Sequence, residues 1–135
     1  MSLDSLLKPY KLNRGKHDTL IRKITSNITI SPNVLLMYQN AYFKAYGVEG
    51  DIDALFMHYN AKTYEIDDWR EVQFNDSTLL LFEMKSNDTI KNYRKAKSQL
   101  IKEKSFITKH TNYQIVDCFY AFNVGNSHAF RFEQL

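Results

Sequence analysis

Two acidic residues and a lysine stand where strands would carry them to one place. Asp53 closes the stretch Gly50-Asp51-Ile52-Asp53, in which acidic and apolar residues alternate. On a β-strand Asp51 and Asp53 therefore share one face, with Ile52 and Ala54 on the other. Further on, Leu79-Leu80-Leu81-Phe82 is an unbroken apolar run, read as a strand covered on both sides, and charge returns only at its end. There Glu83 and Lys85, two residues apart, share a face. A carboxylate at the edge of buried strands needs a cation, a hydrogen-bond partner or a metal. Two carboxylates side by side repel each other, and a divalent cation between them removes that repulsion. Mg²⁺ is held by one or two protein carboxylates, with waters and phosphate oxygens completing its shell. A lysine beside it orients and helps deprotonate an attacking water, or stabilises charge that develops on a phosphate.

Gly50-Asp51-Ile52-Asp53, followed after an insertion by an apolar strand ending in Glu83-Met84-Lys85, resembles the PD-(D/E)XK nuclease superfamily. This is the fold of many restriction endonucleases and Holliday-junction resolvases, and the resemblance covers roughly residues 33 to 121. It implies a single α/β domain with a central mixed sheet flanked by helices, the restriction-endonuclease-like αβββαβ core. It implies catalytic residues Asp53, Glu83 and Lys85, and a Mg²⁺ or Mn²⁺ ion held by Asp53, Glu83 and the main-chain carbonyl of Met84. The activity implied is hydrolysis of DNA phosphodiester bonds by a metal-activated water, as an endo- or exodeoxyribonuclease, with a homodimer permitted. Asp51 and Glu49, and Lys95 and Gln99 on the following helix, are the accessory positions it suggests.

The chain departs from the family pattern in two places. No proline directly precedes Asp53, and the helix expected ahead of the strands carries no glutamate, since no acid occurs between Asp18 and Glu49. A second expectation, from another class, follows. The chain would then be a non-catalytic nucleic-acid-binding or assembly module that retains the fold, with an Asp53–Lys85 or Glu83–Lys85 ion pair closing the sheet edge. The triplet Glu-x-Lys is short, and coincidence stands as a third reading.

The elements that must position these residues are read as follows. Residues 31–47 are expected to be a helix: Ser31 suits the N-cap, Pro32 the first turn, Gly47 the residue after the last turn, and Val34, Leu35, Met37, Tyr38, Ala41, Tyr42, Ala45 and Tyr46 give a wide apolar face. Residues 50–59 are expected to be the first central strand, Asn60 to Lys62 a turn, Arg70 to Phe74 a weaker strand and Asn75-Asp76-Ser77 another turn. Glu65-Ile66-Asp67-Asp68 is a second acidic cluster, read as a solvated loop beside Lys62 and Arg70. From Asp88 to about Lys104 the pattern is helical, with an apolar stripe of Ile90, Tyr93, Lys97, Leu100 and Ile101. Its other face carries Lys91, Arg94, Lys95, Ser98 and Lys102. This basic ridge serves equally as a DNA-binding surface through Lys91, Arg94, Lys95 and Lys102 or as an ordinary solvated face. Residues 112–122 are expected to form an interior strand and Ser127 to Glu133 an edge strand.

The 135 residues, 44% of them hydrophobic, suffice for one domain: a basic segment over 1–30, a core over 31–122 and a C-terminal edge strand or tail over 123–135. In the first segment Ser2 to Leu7 is read as a short helix and Thr25 to Ile30 as a short strand. The single cysteine, Cys118, excludes an internal disulfide and a thiolate zinc site, and is read as a buried hydrophobe. The histidines His17, His58, His110 and His128 lack ligand spacing and are assigned no metal. A net charge of +3 favours an anionic partner only mildly. Lysines and arginines interrupt the first residues and no apolar run reaches membrane-spanning length, so a cytoplasmic protein without a membrane partner is expected.

Overall fold

Both stretches that carry the candidate acids are strands of one sheet. The structure, a computed structural model, describes residues 2–10, 15–28, 33–58, 78–123 and 130–135. Along the chain these form α1 (Leu3–Leu6), β1 (Lys8–Pro9), α2 (Lys16–Ile28), β2 (Val34–Ala45), β3 (Val48–His58), β4 (Thr78–Lys85), α3 (Ile90–His110), β5 (Val116–Asn123) and β6 (Phe130–Gln134). The expected turn at 60–62, the acidic cluster at 65–68, the weaker strand at 70–74 and the turn at 75–77 lie outside the described residues, as do Ser31, Pro32 and residues 127–129. The strands form a mixed six-stranded sheet in chain order, β1 adding only two residues. Every neighbouring pair is antiparallel except β4 and β5, which run parallel and are joined by α3. Parallel neighbours need such a crossover, because no tight turn can bring the chain back in the same direction.

Residues 34–45 are a strand, contrary to the helix expected there. The apolar positions fit both periods, but the run is rich in Val, Leu, Tyr and Phe, and pairing with β3 along almost its whole length decides the outcome. Gly47 ends no helix. With Tyr46 it makes a two-residue hairpin turn, both residues at positive φ (55° and 74°), between the last β2–β3 pair, Ala45 and Val48. Such mirror-image turns match the twist of antiparallel strands. The helix preceding the meander lies further upstream and is α2. It includes residues 25–28, so the short strand expected from Thr25 fails over that part. The short helix at the N-terminus, the strand around Asp53 and the strand ending in Glu83 follow expectation.

α3 runs to His110, beyond the expected end near Lys104, and of the expected stripe it buries Leu100 and half-buries Tyr93. Ile90 and Ile101 are 73% and 61% exposed and Lys97 is exposed, whereas Ala96, Leu100, Glu103, Phe106 and Ile107 face inward.

The sheet is covered on both sides. Leu20, Ile21 and Ile24 of α2 pack with Ala54, Phe56, Phe82 and Met84, while Leu100, Phe106 and Ile107 of α3 pack with Leu55, Met57, Leu79 and Leu81. From Ala54 to Met57 and from Leu79 to Met84 alternate residues thus go to opposite helices, as the two-residue period of a strand requires. At about 1.5–3 kcal/mol for each fully buried side chain, these two layers hold β3 and β4 central. Phe43 of β2 lies opposite Gly50 of β3 and stacks on Phe106 with ring centroids 4.3 Å apart. A Cβ on Gly50 would lie 2.8 Å from Phe43 Cζ, so only glycine lets that ring settle against β3.

Candidate active site

Asp53 sits where β3 loses its regular neighbours. Its ladder to β4 ends at the pair Ala54 and Phe82, and toward β2 the pairing passes over Asn40, whose φ is +62°. Tyr10 takes up the main chain there, donating from its N–H to Asn40 O at 2.9 Å. On the other side β4 continues past Phe82 along β5 as far as Lys85, so β3 and β4 diverge from this point. The Asp53 side chain fills the start of the fork: Met84 N–H donates to Asp53 Oδ2 at 2.8 Å. In an extended strand a residue's N–H and C=O point to the same side, so the Met84 carbonyl also opens toward this gap.

Glu83 has the strand parity of Leu79 and Leu81 and therefore lies on the α3 side of β4. Its carboxylate is 3.6 Å from Lys85 Nζ. Asp53 and Glu83 are 4% and 3% exposed, and Glu83 Oε2 has no hydrogen-bond partner among the described residues. Burial, and then the neighbouring Asp53, push the Glu83 carboxyl well above the usual carboxylate range, while the Lys85 ammonium pulls it back toward the charged form. Lys85 Nζ also lies 3.4 Å from the Gln99 side-chain oxygen. With the amide turned over, its nitrogen instead donates to Glu83 Oε1 at 3.2 Å and to Lys95 O at 3.3 Å.

Two residues join this group without having been expected. His17, in the first turn of α2, places Nε2 2.9 Å from Asp53 Oδ1, and that hydrogen bond raises its pKa above the ordinary value of 6.5. Its position on the helix before the meander, invisible while residues 31–47 were read as that helix, is what brings it here. Glu103 of α3 is 1% exposed with both carboxyl oxygens lacking a hydrogen-bond partner among the described residues. Burial first and Asp53 second push its pKa up to about 9. An acid three residues from Leu100 and from Phe106, within the buried stripe of a helix, was the available signal. It disappears when the stripe is drawn through Ile90, Lys97 and Ile101 instead.

The remaining candidates are distributed unevenly. Gln99 reaches the site, but the Lys95 side chain is exposed and only its carbonyl is drawn in. Asp51 is exposed and accepts a hydrogen bond from the Tyr10 hydroxyl, whose pKa is pushed up to about 12 by burial and then by Asp51. Glu49 lies four residues from Asp53 on β3, roughly 13 Å along a strand, and does not join it. Lys91, Arg94 and Lys102 are exposed along α3, and Lys102 Nζ donates to Glu49 O at 2.9 Å. Cys118 is buried and free.

Among the described residues no three His, Cys, Asp or Glu side chains gather closely enough to hold a metal by themselves, and no helix is long and apolar enough to cross a membrane. The fold and site define an α/β domain with two buried acids and a lysine at a fork in its sheet. Comparison with protein families, curated proteins and solved structures found no match.

Proposed function

We propose that this protein is a metal-dependent nuclease that hydrolyses DNA phosphodiester bonds with a metal-activated water. The observation that carries the reading is the convergence of Asp53, Glu83 and Lys85 where β3 and β4 diverge. The succession α2, β2, β3, β4, α3, β5, with β4 parallel to β5, agrees with the restriction-endonuclease-like αβββαβ core that the resemblance implies. The donors suit Mg²⁺ or Mn²⁺: two carboxylates, one with an orphaned buried oxygen, and a main-chain carbonyl, all hard oxygen ligands. Asp53, Glu83 and the Met84 carbonyl would hold the ion, with His17 beside Asp53. When bound, the ion supplies a water acidic enough to attack at neutral pH and charge to meet the phosphate.

The chain's own groups account for the rest. Lys85, tethered by Glu83 and Gln99, keeps its ammonium at the mouth of the gap, where it orients the water or meets charge growing on the phosphate oxygens. Lys91, Arg94 and Lys95 lie on the exposed face of the helix that leaves this gap, at spacings that follow a phosphate backbone without reading bases. The test is incubation with single-stranded, duplex and branched DNA in Mg²⁺ and in Mn²⁺. Cleavage that requires the ion and disappears in Glu83→Ala supports the proposal, and equal cleavage by that variant overturns it.

Two observations favour a second reading, a nucleic-acid-binding or assembly module without chemistry. The Glu83–Lys85 ion pair satisfies both charges with no ion, and no ready-made three-acid group exists among the described residues. Calorimetric titration with Mn²⁺ separates the two, because this module has no saturable site that depends on Asp53.

A further inference from the structure

A carboxyl group with no partner in the interior of a fold is rare, because burial removes its water without replacing the lost hydrogen bonds. Among the described residues Glu103 is such a group at both oxygens. It belongs to a row of α3 residues four apart, Lys91, Lys95, Gln99 and Glu103. Each step of four residues turns about 40° further around the helix axis, so the row winds from solvent into the interior. Lys91 and Lys95 are exposed, Gln99 touches Lys85, and Glu103 is buried. The charges that act on Glu103 are Asp53 and Asp51 of β3, Lys85 of β4 and its neighbour Lys102, and Glu103 acts in turn on Glu83. By geometry Glu103 shares the buried face of α3 with Leu100, Phe106 and Ile107, which packs on Leu55 and Met57 of β3 and Leu79 and Leu81 of β4, and it lies one helical turn beyond Gln99 at Lys85.

We propose that Glu103 is a positioning residue of the cation centre, accepting hydrogen bonds from water molecules bound to an ion held by Asp53 and Glu83. The inference rests on the reading of those two acids as a cation site and adds an outer shell to it. Contact through water agrees with the absence, among the described residues, of a three-acid group close enough to bind directly, and Mg²⁺ retains several waters when protein ligands are few. It also assigns a use to two oxygens that find no hydrogen-bond partner among the described residues. Outer-shell acceptors orient bound water, and their loss weakens metal binding about 10- to 100-fold.

The test is calorimetric titration of the full chain with Mn²⁺, in parallel with Glu103→Gln, Glu103→Leu and Asp53→Asn. Melting by circular dichroism shows that each variant is folded. Expected are a saturable site in the parent protein, its loss in Asp53→Asn, and Kd values about 10- to 100-fold weaker in both Glu103 variants. A passive buried acid would change the melting temperature and leave Kd alone, so either folded Glu103 variant binding Mn²⁺ as tightly as the parent protein overturns the proposal. Failure of the parent protein to bind Mn²⁺ overturns both this inference and the reading beneath it. Parent binding with unchanged Glu103 variants overturns this inference only.

Discussion

Asp53 Oδ2 accepts the Met84 N–H at 2.8 Å one step beyond the last rung that joins their strands. The side chain takes over from the backbone ladder where the ladder stops, so Asp53 has a structural duty as well as a chemical one. The two separate by substitution. Asp53→Ala leaves a buried N–H unsatisfied and is expected to cost about 1–3 kcal/mol in urea denaturation. Asp53→Asn keeps an acceptor and is expected to cost less than about 1 kcal/mol, yet to lose Mn²⁺ uptake in calorimetry.

Lys85 and Glu83 neutralise each other at 3.6 Å, and a substrate phosphate would draw the ammonium away. Lys85→Ala is expected to lower single-turnover cleavage about 100- to 1000-fold, the usual effect of removing one charge-stabilising group. Mn²⁺ affinity should be kept or improved, because Glu83 loses its competing cation. Loss of both together would make Lys85 a scaffold residue.

The metal-free protein should lose stability as pH rises. Glu103, ordinarily titrating near 4.5, is raised to about 9 by burial and then by Asp53, so the folded state holds a proton that the unfolded chain has released. Its penalty is absent below the unfolded value, grows with pH and is complete above about 9. Asp51, Asp53 and Glu83 oppose its ionisation while Lys85 and Lys102 favour it. Urea midpoints measured from about pH 5 to about pH 9 should fall in the parent protein and fall less steeply in Glu103→Gln, where Glu83 and His17, both raised in the folded state, keep the remaining slope.

Gly50→Ala should destabilise the fold by about 1–3 kcal/mol, because its Cβ would lie 2.8 Å from Phe43 Cζ in a packed layer. The guanidinium unfolding midpoint measures this. Phe43→Leu in the same background should recover part of the loss, since the shorter side chain vacates the contested space.

Much of this arrangement could be read before the coordinates. β4 was legible because an apolar run broken only by its terminal charges has few other uses, and α3 because its polar residues recur at helical spacing. β2 was not. Its tyrosines satisfy three-to-four spacing as well as alternation, Gly47 is as suitable for a mirror-image hairpin as for a helix end, and only pairing with Val48 to His58 decides between them. That one exchange also concealed His17, by assigning the role of α2 to a strand. Asp53, Glu83 and Lys85 were identifiable as residues. The fork that brings them together depends on Asn40 adopting positive φ and on a ladder stopping at Ala54, neither of which leaves a local pattern.

α3 touches both arms of that fork. Gln99 meets Lys85 on one, while Phe106 stacks on Phe43 and His110 lies flat on Tyr46, 4.0 Å away, on the hairpin that leads to the other. The helix therefore works as a yoke: it grips one arm through Gln99 and the other through its far aromatic end, and loosening that end would let the jaws drift apart with every acidic side chain still intact.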